Sequence, residues 1–328
     1  MDRRWSALCA AAAAVRIFYV MVWGELVPGP LPAGGGLSAG DRGWGPEPGE
    51  ILTAMDEPAA EPRTSPEPPP LPEETDGPAP ATPFPPAKEL LLNRTGFAPD
   101  PEALAAEPLC QRLPSEGAQI LILHTHATEA YTPVPGEEYV PSDPYRTTDP
   151  TRSVIRVGDV LQQTLEAQGL TVIHDRTLYD WPGYTGAYDR SGAAALRALE
   201  EHPGVGIIID LHRDALGGEE PAYKTVAHTE GGAAQVMLVV GTGENGLAHP
   251  DWQENLKLAL ALQLAMRESC PGLARPIQLA RERYNQHLSP GALLLEVGTN
   301  GNTLSEAEQA AKAFGRAAGP LFLSLQEG

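Results

Sequence analysis

Two histidines and a glutamate follow an apolar run in Ile120-Leu121-Ile122-Leu123-His124-Thr125-His126-Ala127-Thr128-Glu129. Neutral imidazole and carboxylate are ligand types that suit zinc. The pattern recurs in Ile207-Ile208-Ile209-Asp210-Leu211-His212-Arg213-Asp214, and an apolar run closes on an acid again in Leu293-Leu294-Leu295-Glu296. His124 and His126 lie two apart, so on a continuing strand they share a face, whereas on a chain that has left the strand only one need face a cation. Glu129 is within reach of the same cation, and Asp210 suits the carboxylate that fixes the tautomer of a metal-bound His212. The plainer reading of Asp210-Leu211-His212-Arg213-Asp214 is a salt-bridged cluster at a strand end. A carboxylate after Leu293–Leu295 is costly unless paired, which leaves Glu296 as a further ligand, a general base or a salt-bridged structural group. A catalytic zinc keeps one position open, so some carboxylate must stay outside the ligand set, and Glu296 is the candidate base. The chemistry expected of these residues is that of a zinc hydrolase.

Other polar groups have weaker claims. Arg213, and Asn285 and His287 in Arg283-Tyr284-Asn285-Gln286-His287, could contact substrate, and Tyr184-Thr185-Gly186-Ala187-Tyr188 could form an aromatic wall facing a sugar. His174, His202, His228 and His249 have less to recommend them, and His202, before Pro203, reads as a helix C-terminal residue.

Such residues need a scaffold that gathers strand ends. Ile120–Leu123 is too short for a core helix and reads as a buried strand. Thr151-Arg152-Ser153 can open a helix whose apolar face is Val154, Val157, Val160, Leu161 and Leu165, with Gly169 as its stop. Strands are expected at 170–174, 205–210, 235–240 and 292–296, and helices from Asp189 to about Leu199, over 251–269 and over 304–325. Strands alternating with helices predict an α/β fold, a mostly parallel central sheet with helices on both faces. Ligands of such sheets sit at the carboxyl ends of the strands.

Composition divides the chain in three. Arg3 and Arg4 precede a largely apolar stretch from Trp5 to Trp23, interrupted by Arg16, whose length approaches that of a membrane span. Residues 1–27 are therefore expected to be an uncleaved single-pass anchor, with the arginines inside and the remainder on the extracytoplasmic side. Residues 28–87 are rich in proline and acids, as in Ser65-Pro66-Glu67-Pro68-Pro69-Pro70, a composition expected to stay disordered as a linker. Residues 88–328 suffice for one domain with a sizeable core. The net charge of −20, partly carried by the linker, and the lack of a basic cluster argue against a nucleic-acid partner. Three cysteines, Cys9, Cys110 and Cys270, make neither a disulfide framework nor a CxxC zinc motif, and whether Cys110 and Cys270 pair is left open.

The ordered series His124-Thr125-His126-Ala127-Thr128-Glu129-Ala130-Tyr131, Tyr184-Thr185-Gly186-Ala187-Tyr188-Asp189-Arg190-Ser191, Asp210-Leu211-His212-Arg213-Asp214, Arg283-Tyr284-Asn285-Gln286-His287, Leu295-Glu296-Val297-Gly298 and Asn302-Thr303-Leu304-Ser305-Glu306-Ala307 resembles the stage II sporulation protein P family. The resemblance runs from about Lys88 to the C-terminus. It implies a membrane-anchored, zinc-dependent cell-wall hydrolase of endospore-forming bacteria. The implied activity is that of an N-acetylmuramoyl-L-alanine amidase, with endopeptidase cleavage of crosslinked stems beside it, on an amidase-3-like fold. It further implies peptidoglycan as substrate, a place in engulfment at the mother-cell membrane facing the intermembrane space, and two partners. These are the sporulation protein D lytic transglycosylase and a membrane protein of the same machinery. By this likeness His126 and His212 are zinc ligands and Glu296 the catalytic glutamate. The wider group's middle ligand, a glutamate at a helix start, falls where this chain has Thr151-Arg152-Ser153, so Glu129 takes its place, with His124 the alternative.

Overall fold

The four residues Ile120–Leu123 are all buried. A segment apolar on both of its alternating faces belongs in a sheet covered on both sides, and the computed structural model places it there. The structure describes residues 84–215, 223–227 and 232–327. The expected anchor, the linker up to residue 83 and His228 lie outside the described residues.

Among the described residues the strands are β1 (Leu91–Asn93), β2 (Ile120–Leu123), β3 (Val172–His174), β4 (Ile207–Asp214), β5 (Val236–Gly241), β6 (Ile277–Ala280) and β7 (Ala292–Thr299). They form one sheet in the order β1-β6-β5-β7-β4-β2-β3. Every neighbouring pair is parallel except β5 with β7. Four strands therefore point one way and three the other, and the carboxyl ends of β2, β4 and β7 gather at one edge.

The helices are α1 (Ala87–Leu90), α2 (Pro101–Ala106), α3 (Val154–Glu166), α4 (Ala187–Glu201), α5 (Trp252–Ser269) and α6 (Leu304–Ser324). Alternation along the strands sends Ile120, Ile122, Ile207, Ile209, Leu293 and Leu295 into a large core with α3, α5 and α6. Leu121, Leu123 and Ile208 face the other way, against Ala195, Ala198 and Leu199 of α4. Fully burying one such side chain is worth about 1.5–3 kcal/mol, so both layers are needed to hold a strand that is apolar throughout.

Local chemistry sets the helix starts. The Ser153 hydroxyl accepts from Ile155 N at 3.3 Å and opens α3. Thr303 and Glu306 form a reciprocal cap on α6, in which Glu306 Oε2 also accepts from Asn302 Nδ2 at 2.9 Å. In α4 the start falls two residues before Asp189, at Ala187, after Gly186 in the left-handed region (φ 81°). His202 ends α4 as its C-cap.

Two features depart from the sequence reading. β4 runs on through Asp214 and β7 through Thr299, because the two polar ends pair with each other: His212 lies opposite Glu296 and Asp214 opposite Thr299, with an irregularity between. His212 and Glu296 are thus within strands rather than at their ends. Short β6 and the small elements before Glu107 carry too few residues for a periodic signal. Cys110 and Cys270 are both free thiols. No helix among the described residues is long and apolar enough to cross a membrane.

Candidate metal centre

After Leu123 the chain leaves β2, and the two histidines part company. His124 is fully buried: its Nδ1 lies 2.9 Å from Leu211 O and its Nε2 2.8 Å from His174 Nε2. Gly158 on α3 makes room for these two rings, since a Cβ there would lie 2.6 Å from His174 Nε2 and 2.7 Å from His124 Nε2. Burial pushes His124 down to about 4, so it is a neutral group. The structure does not bring His124 to the other candidate ligands.

Thr125 turns the chain by donating from its backbone N and its hydroxyl to Asp210, at 2.8 and 2.6 Å. His126 then faces Glu129, with Nδ1 3.7 Å from Oε1, and His212 approaches the same carboxylate, with Nδ1 3.4 Å from Oε2. One ligand atom from each of His126, Glu129 and His212 lies within 4.8 Å of the others. His212 Nε2 is 2.9 Å from Asp210 Oδ1, a close ionic contact too oblique for a straight hydrogen bond.

The electrostatics suit a cation. Burial alone raises the Glu129 carboxyl, but Arg213 and contacts with His126 and His212 outweigh it and hold the group well below the usual carboxylate range. His212 is driven the other way: burial disfavours its charge, yet Asp210 and Glu129 lift its pKa well above the ordinary value. A proton on the Glu129 side of His212 answers the same carboxylate that a metal ion would. Asp210 thus lies against Nε2 of the His212 ring and Glu129 against Nδ1. Two imidazoles and one ionised carboxylate match a catalytic zinc set that keeps a position open. The residues fit the ion.

Glu296 stands beside His212 in the β4–β7 register, with Met237 on its other side. The residue is partly open to solvent, but its Oε2 is buried and has no hydrogen-bond partner. Burial pushes its pKa up to about 8, against the pull of His212 and with help from Glu129 and Asp214.

Aromatic rings line the approach. Tyr184 stacks on His126 with centroids 4.5 Å apart and is 57% exposed, while Tyr188 meets the same ring edge-on at 5.5 Å. Asn285 lies behind this wall: its Nδ2 donates to Tyr188 O at 2.7 Å and to Ser191 Oγ at 3.3 Å. Arg213 also turns inward, giving its backbone N to Glu129 Oε2, Nε to Ala130 O and Nη2 to Tyr145 O, at 3.2, 3.0 and 3.0 Å. His287 is exposed, beside Arg283 and His249, and is not brought to the cluster. The sequence reading missed Arg146, which reaches Glu129, and Asp180 and Thr128, which accept from Arg146. An arginine within Tyr145-Arg146-Thr147 carries no local signal, because its partners are 17 and 34 residues away.

Fold and site together define an α/β domain with a His-Glu-His candidate metal centre at the carboxyl edge of its sheet. The chain belongs to the stage II sporulation protein P family, whose model matches residues 73–318. The stage II sporulation protein P of Bacillus subtilis (strain 168) is 32% identical over 206 residues, 59% of this chain and 48% of that protein. The match thus spans about half the length of that relative. Among solved structures, the CwlD amidase from Clostridioides difficile in complex with the GerS lipoprotein is 15% identical, covering 63% of this chain and 98% of that one with a TM-score of 0.40. The N-acetylmuramyl-L-alanine amidase Ami1 from Mycobacterium smegmatis is 13% identical, covering 64% and 99% with a TM-score of 0.40.

Proposed function

We propose that residues 88–328 are the catalytic domain of a zinc-dependent peptidoglycan hydrolase, an N-acetylmuramoyl-L-alanine amidase acting in sporulation. The observation that carries the reading is the His126–Glu129–His212 cluster with Glu296 beside it on β7. Family membership supports the substrate.

His126, Glu129 and His212 would hold the zinc, with His124 outside the set. The ion would supply Lewis-acid chemistry towards the scissile carbonyl and the attacking water. Glu296 Oε2, buried and without a partner, takes a proton from the attacking water and gives one to the leaving amine nitrogen. Asp210 keeps the His212 ring in place. Tyr184 and Tyr188 wall the side of His126 and orient the substrate. Cleavage of crosslinked stem peptides at the same centre is a second activity of the same amide chemistry.

In this reading residues 1–27 anchor the chain in the mother-cell membrane. Residues 28–87 let the domain reach into the intermembrane space. The sporulation protein D lytic transglycosylase and a membrane protein of the engulfment machinery are its partners.

The test joins metal content to product mass. About one zinc per chain, with chelator-sensitive release of free stem peptide from muramic acid in defined peptidoglycan fragments, is the expected result. A folded, zinc-supplemented chain that holds no metal and leaves the fragments intact, its transglycosylase partner present, sinks the reading in favour of a binding scaffold.

A further inference from the structure

Glu129 has no regular element beneath it. It lies in the connection between β2 and α3, yet a metal site needs its ligands held to a fraction of an ångström. The restraint comes from an isolated antiparallel bridge between Glu129 and Arg146. Around it Ala130 N donates to Tyr145 O at 2.8 Å and Thr147 N to Thr128 O at 2.8 Å. The two segments form a small ribbon that fixes the Glu129 backbone.

The Arg146 side chain then folds back across this ribbon. Nη1 donates to Asp180 Oδ2 at 2.8 Å and to Thr128 Oγ1 at 3.0 Å, and Nη2 lies 3.5 Å from Glu129 Oε1. Asp180 has a side chain with 0% exposure, and it also accepts from the Thr128 backbone N and hydroxyl. The outer face of the guanidinium lies 5.0 Å from the centroid of Tyr184, the ring stacked on His126. One planar cation thus touches a candidate ligand, a buried acid and the aromatic cover of a second ligand. The Arg213 backbone N holds the other oxygen of Glu129 at 3.2 Å.

We propose that Arg146, braced by Asp180, is the positioning residue of the metal centre: it sets the Glu129 carboxylate between His126 and His212 and seats Tyr184 against His126. The proposal rests on the zinc reading above. Arg146 is not among the candidate ligands, and its donors are turned to Asp180, Thr128 and Glu129. Lysine at this position keeps the charge but lacks the fork that reaches Asp180 and Glu129 together.

The experiment titrates the intact metal-free chain with zinc against a chromophoric chelator, after circular dichroism has checked folding. Arg146→Ala is expected to weaken zinc binding about 10–100-fold, the usual effect of removing a partner of a ligand. Arg146→Lys recovers part of the loss. Asp180→Asn weakens binding as well, and the double variant Arg146→Ala/Asp180→Asn is weakened by less than the product of the two single effects, as for residues in one network. Arg156→Ala, which breaks a pair with Glu308 elsewhere, serves as the control and binds as wild type.

A folded Arg146→Ala chain with wild-type zinc affinity overturns the proposal, even if its melting temperature falls. Should Arg146→Ala not fold, Arg146→Lys decides: wild-type affinity overturns the proposal, and an intermediate loss supports it. Wild type that binds no zinc overturns the zinc reading itself and the proposal with it, an outcome distinct from normal binding in both wild type and variant.

Discussion

Two glutamates share one site and meet opposite surroundings. Glu129 has His126, His212, Arg146 and the Arg213 backbone N around its oxygens. Glu296 has an oxygen that nothing reaches. A carboxylate kept ionised by its surroundings is available to a cation, and one whose charge is left unanswered is suited to move a proton. Glu296→Gln is therefore expected to lower turnover by about 10²–10⁴-fold, the usual worth of a general base, while elemental analysis still finds zinc. Loss of the metal from Glu296→Gln would instead make Glu296 a ligand. At this scale the sequence pointed to His126, Glu129, His212 and Glu296, because each interrupts or follows an apolar run where a polar group must have a reason. It left His124 and Glu129 as alternatives. What separates them is the direction of one turn, set by Thr125 on Asp210 and by room at Gly158, which is information from three distant parts of the chain.

Elements with strong periodicity were legible: β2 from its unbroken apolar run and α3 from its Ser153 start and one-sided apolar face. β6 was not, since its four residues are too few to show a period. The polar continuations of β4 and β7 escaped notice because each is stabilised by the other. The cap of α6 gives a test. Glu306 is pushed up by burial, but Lys224, Asn302 and the Thr303 backbone N outweigh that and hold its carboxyl below the ordinary value. A carboxyl lowered in the folded chain contributes stability above its unfolded pKa, and that contribution is lost as pH falls through the folded value. Urea unfolding of wild type and Glu306→Gln should thus show wild type more stable near neutral pH, with the gap narrowing from about pH 4.5 downward. A gap that does not change with pH would mean that charge on Glu306 plays no part in holding the helix start.

For the whole molecule, a metal that binds the folded chain and not the unfolded one adds stability by mass action. Zinc at a hundredfold excess over its dissociation constant is worth about 2.7 kcal/mol. Thermal melting with chelator is expected to fall below that with zinc, and the difference should disappear in His212→Ala. A chelator effect that persists in this variant would place the metal elsewhere.

The reversed pairing of β5 on β7 has a further consequence. β4 ends at the edge of the sheet where the metal centre lies, and β5, running opposite to β7, begins at that same edge. The chain therefore leaves β4 and enters β5 at one edge, the edge that also carries the centre. A parallel neighbour would have required a crossover from one edge to the other. The fold thereby sets the entry of one strand beside the exits of β4 and β7, at the edge that must keep four side chains in place.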